Sequence, residues 1–286
     1  MGPAVVLTND FKCHAFLHYT ERHNRVHLQR KDYHTDVSPY PIALFKDAAG
    51  VPHLAYGVAW NHVQIMSLDT LQVLTAAKSL IEVSAEERHI EHHEKYSQRP
   101  GMPWPTEYDY FFGSLMVSPD DKKFMSAGWV WGSMDCYTIY DIADFISNPR
   151  IAYQNVGLWE HSNRATCWID NNTVAIVYSP YEEGDEEATA ETWPEIHFFS
   201  HSGKQLAPGN KISVPRLDNV KADMNYDKHP NALILQSDTL GTLVISLDGI
   251  TLFKDANLHQ GKYHPQTSLF IKAESKTITL YSITEA

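Results

Sequence analysis

The chain has 286 residues, 43% hydrophobic and 20% charged, the proportions of a soluble globular protein able to bury a large core as one domain. Lys and Arg total 23 against 35 Asp and Glu, a formal net charge of −12. That field repels nucleic acid and anionic membrane, so neither is expected as a partner. No apolar run reaches the ~18 residues a membrane helix needs. The opening MGPAVVLTND lacks a basic leader and an apolar signal core, and Val6 stands where a myristoylation signal wants Ser or Thr. The expected location is cytoplasmic. The three cysteines, Cys13, Cys136 and Cys167, have no C-x-x-C spacing, and the last two sit in apolar strand-like runs. They are expected to be buried structural thiols.

In chain order, short strand-period runs dominate. RVHLQRKD, from Arg25 to Asp32, reads as the third strand of a first, degenerate unit. PYPIALFKD meets the turn AAG, followed by HLAYGVAW, HVQIMSLD and QVLTA. FFGSLMVS meets PDDKK, followed by FMSAGWVW, CYTIYDI and RIAYQN. ATCWID, VAIVYS, EIHFFSHSG and KISVP form the next unit, and VKADMNYD, ALILQS, TLVISLDG and ITLFKD another. SLFIKAESKTITLYSIT closes the chain. Asp, Asn, Gly and Pro supply the turns between first and second strands.

The third strands end alike: Ser67-Leu68-Asp69, Tyr140-Asp141-Ile142, Ser200-His201-Ser202-Gly203, Ser246-Leu247-Asp248-Gly249 and Ser282-Ile283-Thr284. Units of roughly 40 to 60 residues with four strands predict propeller blades. One four-stranded sheet cannot bury both of its faces, so such sheets stack around an axis until none is left open. The predicted fold class is therefore all-β, a β-propeller filling residues 1–286, with six blades and with five or seven as alternatives. A β-sandwich is the competing architecture. The segment MVSPDDKKFMSAGWVWGSMDCYTIYDI resembles a blade of the WD40-like β-propellers, whose inner turns read S-P-D-G-K and whose third strand often ends Trp-Asp. Here Asp121 stands for the Gly and Tyr140-Asp141 for Trp-Asp, and the resemblance carries over no catalytic residue.

Two insertions interrupt the pattern. Residues 78–109 form an inserted loop and helix, with Ser84 and Glu87 read as a capping box opening a short helix near 84–95. His89, His92 and His93 share one helix face and are candidate metal ligands. The run RPGMPWPT that follows predicts an extended tether. Residues 180–195 hold seven carboxylates and predict an acidic flap.

Up-and-down strands divide the loops between two rims. First-to-second turns are short, whereas blade-to-blade and second-to-third connections are long. The latter carry YHTDVSPYP, NVGLWEHSNR, VPRLDNVKAD and DANLHQGKYHPQ. Candidate ligand-binding residues there are Trp60, His62, Trp131, Asp135, His161, Arg164, Arg216, Asp218 and His264, with His34, Asp36, Trp159 and His259 on the same connections. Aromatic walls with a few convergent polar groups suit a ligand site on a rigid scaffold. Each residue also has a plainer use: tryptophans fill blade interfaces, and arginines tie neighbouring blades.

No nucleophile elbow, phosphate loop, dinucleotide fingerprint or zinc-protease motif occurs. The leading reading is thus a non-enzymatic binding or scaffold protein for a protein, peptide or small-molecule ligand, without a cofactor. The alternative is a metal-dependent hydrolase, lactonase-type or lyase propeller. Its one divalent cation would rest on Asp36, Asp135, Asp218, His161 or His264, with His161 or His264 as general base. A third reading is a partner-specific inhibitor or assembly subunit that docks through the acidic flap.

Overall fold

A computed structural model describes residues 4–8, 12–19, 25–96, 107–160, 164–178, 194–206, 211–214, 222–238, 240–258, 261–264, 267–274 and 277–282. His161, Arg216, Asp218, His259 and most of the acidic flap lie outside the described residues. The fold is an all-β propeller architecture built from successive antiparallel sheets. Six are described, three of four strands and three of three, within the expected range of five to seven blades. The chain divides into two compact units, Met1–Asn155 and Val156–Ala286.

In the first unit, β1 (Ala4–Thr8), β2 (His14–Tyr19) and β3 (Arg25–Gln29) form one meander. β4 (Ile42–Lys46), β5 (Pro52–Ala59) and β6 (His62–Ser67) form the second. The expected fourth strand QVLTA is reduced to a single bridge between Met66 and Val73, because the Thr75 hydroxyl takes the Ile65 N–H at 2.9 Å. The third sheet holds β7 (Phe111–Val117), β8 (Lys123–Val130) and β9 (Met134–Asp141). Its outer strand β10 (Gln154–Glu160) contains the boundary between the two units.

Turn chemistry accounts for the hairpins. Asp47 accepts the N–H groups of Ala49 and Val51 at 2.9 and 2.8 Å. In SPDDKK the Ser118 hydroxyl takes the Lys123 N–H at 3.0 Å, and Asp121 adopts φ 58°. Asp tolerates that left-handed conformation, which explains how it replaces the Gly of the WD40-like pattern. Central strands read as near-continuous apolar runs because both of their faces are covered. Leu54 and Ala55 on β5, Phe124 and Met125 on β8 and Ile139 and Tyr140 on β9 are all buried.

Two helices interrupt this unit. α1 (Ala85–Lys95) occupies the predicted insertion, but Ser84 forms no side-chain cap. Its φ of 59° is left-handed, whereas a capping serine needs extended backbone to aim its hydroxyl into the first turn. Ion pairs organise this helix instead: Arg88 with Glu82, and Arg150 with Glu86. The run RPGMPWPT, expected as an extended tether, lies outside the described residues; the start of the insertion is held by backbone pairing. Val83 N–H donates to Ile151 at 2.9 Å, and Ile151 N–H returns to Ile81 at 3.1 Å. Lys78 donates to the carbonyls of Phe145, Asn148 and Arg150 at 2.8, 2.9 and 3.1 Å. The second helix, α2 (Ile142–Ser147), is absent from the sequence expectation. The Asp141 carboxylate caps it by accepting the Asp144 N–H at 2.9 Å, so the third-strand ending doubles as a helix start. That helix delays the fourth strand. RIAYQN is therefore mostly not strand, and six of the ten residues of the expected connection NVGLWEHSNR belong to β10.

In the second unit, β11 (Thr166–Trp168), β12 (Thr173–Tyr178), β13 (Glu195–Ser200) and β14 (Ile212–Ser213) make one sheet. β15 (Asp223–Asp227), β16 (Ala232–Ser237), β17 (Gly241–Ser246) and β18 (Thr251–Asp255) make the next. β19 (Lys262–His264), β20 (Leu269–Glu274) and β21 (Thr277–Tyr281) make the last. Cys167, Ala175, Val177, Ile196, Leu233, Leu235 and Leu243 share its main core. The third strands β13 and β17 end on Ser200 and Ser246, whose carbonyls accept Gly203 and Gly249 N–H at 2.9 and 3.0 Å. Both glycines have φ near +80°, the conformation this turn requires.

Candidate functional site

The long connection after β3 is built around a buried arginine. The Arg30 guanidinium donates to the carbonyls of Lys12, Pro39, Thr35 and Ser38 at 2.9, 3.1, 3.3 and 2.7 Å. Five donors in a rigid fork suit this task, and the loop closes over them. Within it, Thr35 and Val37 N–H donate back to Asp32 and His34, and His34 takes a left-handed φ of 53°. Non-glycine residues rarely hold that conformation, which marks a backbone fixed by its surroundings. The loop therefore presents Tyr33 and His34 in a set orientation.

Three further segments meet these two rings. The β5–β6 turn brings Trp60, the start of β7 brings Phe111, the end of β8 brings Trp129, and the turn that follows it brings Trp131. Trp129 and Trp131 are two residues apart, so along a strand they project to the same side. Phe111 is 1% exposed and forms the base of the group. It stacks on Trp129 with ring centroids 3.7 Å apart and meets Trp60 at 4.4 Å and Trp131 at 4.9 Å. Tyr33 lies 6.0 Å from Trp60 and 6.3 Å from Trp131, and His34 lies 5.7 Å from Trp131. Hydrogen bonds to backbone carbonyls lock the parts together: Phe112 N–H donates to Trp60 at 2.8 Å, and the Asn61 side-chain amide donates to Tyr108 at 3.1 Å.

The rings are not all enclosed. Tyr33 is 47% exposed and Trp131 50% exposed. Trp131 leads a hairpin turn in which Gly132 and Ser133 have φ of 91° and 58°, and that turn holds the indole out. The exposed Asp109 carboxylate neighbours the Trp131 side chain; partial burial pushes its pKa up, and the indole acts against that push. The result is an aromatic platform with a solid base, two half-exposed rings and an acid beside one of them.

Of the residues expected at a site, the structure brings His34, Trp60 and Trp131 into this platform. Asp36 is exposed on the same loop, and Asp135 is buried, paired across the strands with Trp129 and accepting the Tyr137 hydroxyl at 3.4 Å. His62 opens β6. Its Nε2 is buried without a hydrogen-bond partner among the described residues, and burial lowers its pKa, with Lys31 and Lys78 acting in the same direction. Arg164, in the second unit, lies over the Tyr178 ring at 4.7 Å. His264 was expected in a loop but belongs to β19, where it pairs with Leu269 and faces solvent. The pairing of Lys262–His264 with β20 starts the last sheet earlier than the Pro-containing stretch around it implied.

On α1 the rings of His89 and His93 are 4.4 Å apart. Among the described residues, no group of three or more His, Cys, Asp or Glu side chains is arranged to hold a metal ion, so neither His89, His92 and His93 nor Asp36 and Asp135 form such a group. Nor is any helix there long and apolar enough to cross a membrane. Cys136 and Cys167 are buried, and burial drives the Cys167 thiol pKa far upward, as befits an inert core thiol. Sequence reasoning missed Tyr33, Asp109, Phe111 and Trp129. The usable signal was the alternation in Trp129-Val130-Trp131, which runs a strand's aromatic face out into its turn.

Fold and comparisons place the chain in the β-propeller class. Among solved structures it is similar to dihydro-heme d1 dehydrogenase NirN in complex with DHE, at a TM-score of 0.52 and 11% identity. The likeness covers 99% of this chain and 52% of that one, so the chain spans about half the length of the protein it matches. At that identity the likeness shows the fold alone. No protein-family model matches the chain, and no curated protein is significantly similar to it.

Proposed function

We propose that the chain is a binding module that docks a protein or peptide partner on the aromatic platform of its first unit. The observation that carries this reading is the half-exposure of Tyr33 and Trp131 on a fixed base. Large aromatic rings presented by a rigid scaffold are the residues that supply most of the energy at protein interfaces. A small-molecule pocket encloses most of its ligand's surface. Here the two outer rings stand on surface turns, a geometry better suited to a protruding segment of a partner. The left-handed His34 and the Arg30 clamp support the same reading, because they hold the loop in shape before any ligand arrives.

The test is selection of a displayed random-peptide library on the wild-type protein, followed by affinity measurement on the double variant Tyr33→Ala, Trp131→Ala. Selected peptides that bind the variant at least about tenfold more weakly support the platform, since interface anchors of this kind are worth ~2 kcal/mol or more. Peptides that bind both proteins equally well contradict it.

A further inference from the structure

The platform's surroundings define the chemistry of the group it holds. Tyr33 and Trp131 meet edge to face, inclined at 62° with centroids 6.3 Å apart, and the angle between their exposed parts makes a shallow notch. Aromatic faces carry the negative lobe of the ring quadrupole, and Trp is the strongest of the three types toward a cation. The exposed Asp109 carboxylate neighbours the Trp131 indole and sets a negative charge beside it.

Other charges around the notch are also mostly acidic. Asp32 and Asp36 flank Tyr33 on its own loop, and Glu107 contacts Asn61 beside Trp60. The bases of this loop are Arg30, which is buried and spends its guanidinium on backbone carbonyls, and Lys31, whose charge acts on His62. A neutral apolar ligand would make no use of these carboxylates. A lysine ammonium is strongly hydrated and would lose that water, whereas a guanidinium or a methylated ammonium is weakly hydrated and stacks readily. The net charge of −12 steers any such group toward the chain.

We infer that the Tyr33–Trp131 notch receives a weakly hydrated cationic side chain of a peptide or protein partner, an arginine or a methylated lysine. This inference rests on the docking reading above and specifies the group that docking places in the notch.

The experiment is a titration of the 15N-labelled full chain with three blocked tripeptides, followed on the indole N–H signals. They are glycyl-arginyl-glycine, its citrulline counterpart, which is neutral and nearly the same shape, and glycyl-trimethyllysyl-glycine. At least one cationic peptide is expected to shift the Trp131 signal with an affinity about tenfold above that of citrulline. That shift disappears in Tyr33→Ala, which keeps the Trp131 indole as reporter, and in Asp109→Asn the affinity drops severalfold while the fold, followed by circular dichroism, is retained. Equal affinity for arginine and citrulline overturns the cation inference and leaves the platform reading intact. Silence of the Trp60, Trp129 and Trp131 signals toward both cationic peptides also overturns it, while the library selection separately decides whether the platform docks peptides at all.

Discussion

The Trp129 indole N–H donates to the Ser38 hydroxyl at 2.7 Å, across 91 residues of sequence. This bond ties the base of the aromatic platform to the loop that presents Tyr33 and His34. Ser38 is buried and also gives its carbonyl to Arg30, so the loop is held at the same residue from two sides. Removing the hydroxyl in Ser38→Ala is expected to cost about 1 kcal/mol of stability, the usual net worth of such a bond. Ser38→Thr keeps the acceptor and restores most of it. Chemical denaturation of the three proteins checks this.

Phe111 and Trp131 touch, yet their substitutions should behave in opposite ways. Phe111 is fully buried against Trp129, and Phe111→Ala leaves a cavity expected to cost about 3–5 kcal/mol. Trp131 is half exposed, so Trp131→Ala is expected to change stability by no more than about 0.5–1 kcal/mol while abolishing peptide binding. A binding loss in Trp131→Ala accompanied by a stability loss as large as that of Phe111→Ala would assign the indole to the core.

Gly128 lies directly behind this stack. A methyl group there would meet the Phe111 carbonyl at 2.2 Å and the Tyr110 hydroxyl at 2.4 Å. Gly128→Ala must therefore push β7 away from β8, at a cost of about 1–3 kcal/mol or more, and disturb the Phe111–Trp129 contact. Near-ultraviolet circular dichroism should register that change in the aromatic signal.

His62 sets an acid limit on stability. Burial, Lys31 and Lys78 lower its pKa below the ordinary 6.5, so the folded protein binds fewer protons here than the unfolded chain. Its contribution is fully present above about pH 6.5 and is lost as pH falls through the lowered value. His62→Gln is expected to flatten that part of the profile. Comparing melting temperatures of both proteins between pH 5 and pH 8 tests the sign, and a wild-type profile that falls no more steeply than the variant's contradicts it.

The propeller architecture was legible because it repeats. Ser67, Ser200 and Ser246 end third strands where the sequence placed them, and Asp47, Asp121 and Asp170 make the turns their chemistry predicts. Non-repeating local choices were harder to read. Asp141 was read as a strand ending, though its carboxylate also starts α2, and Ser84 was read as a cap, though its backbone turns left-handed. Both outcomes depend on backbone geometry imposed from a distance: α2 by packing of Ile142 and Phe145 into the core, and the α1 start by the pairing of 81–83 with Ile151.

The candidate site was half visible. Trp60, Trp131 and His34 lie in connections, where loop length and aromatic content draw notice. Phe111 and Trp129 lie inside strands and look like any core aromatic. Only the cross-strand pairing of Phe111 with Trp129 shows that they form the base on which the exposed rings stand. Tyr33 gave no signal apart from its neighbours, because its exposure follows from the Arg30 clamp and from the left-handed turn at His34.

The most direct test of the platform follows the indole N–H signals of all seven tryptophans while a library-selected peptide is added. Shifts concentrated on Trp60, Trp129 and Trp131, and abolished by Tyr33→Ala Trp131→Ala, are the predicted result. Shifts centred on Trp168 or the other tryptophans, or a response the double variant leaves unchanged, would contradict it.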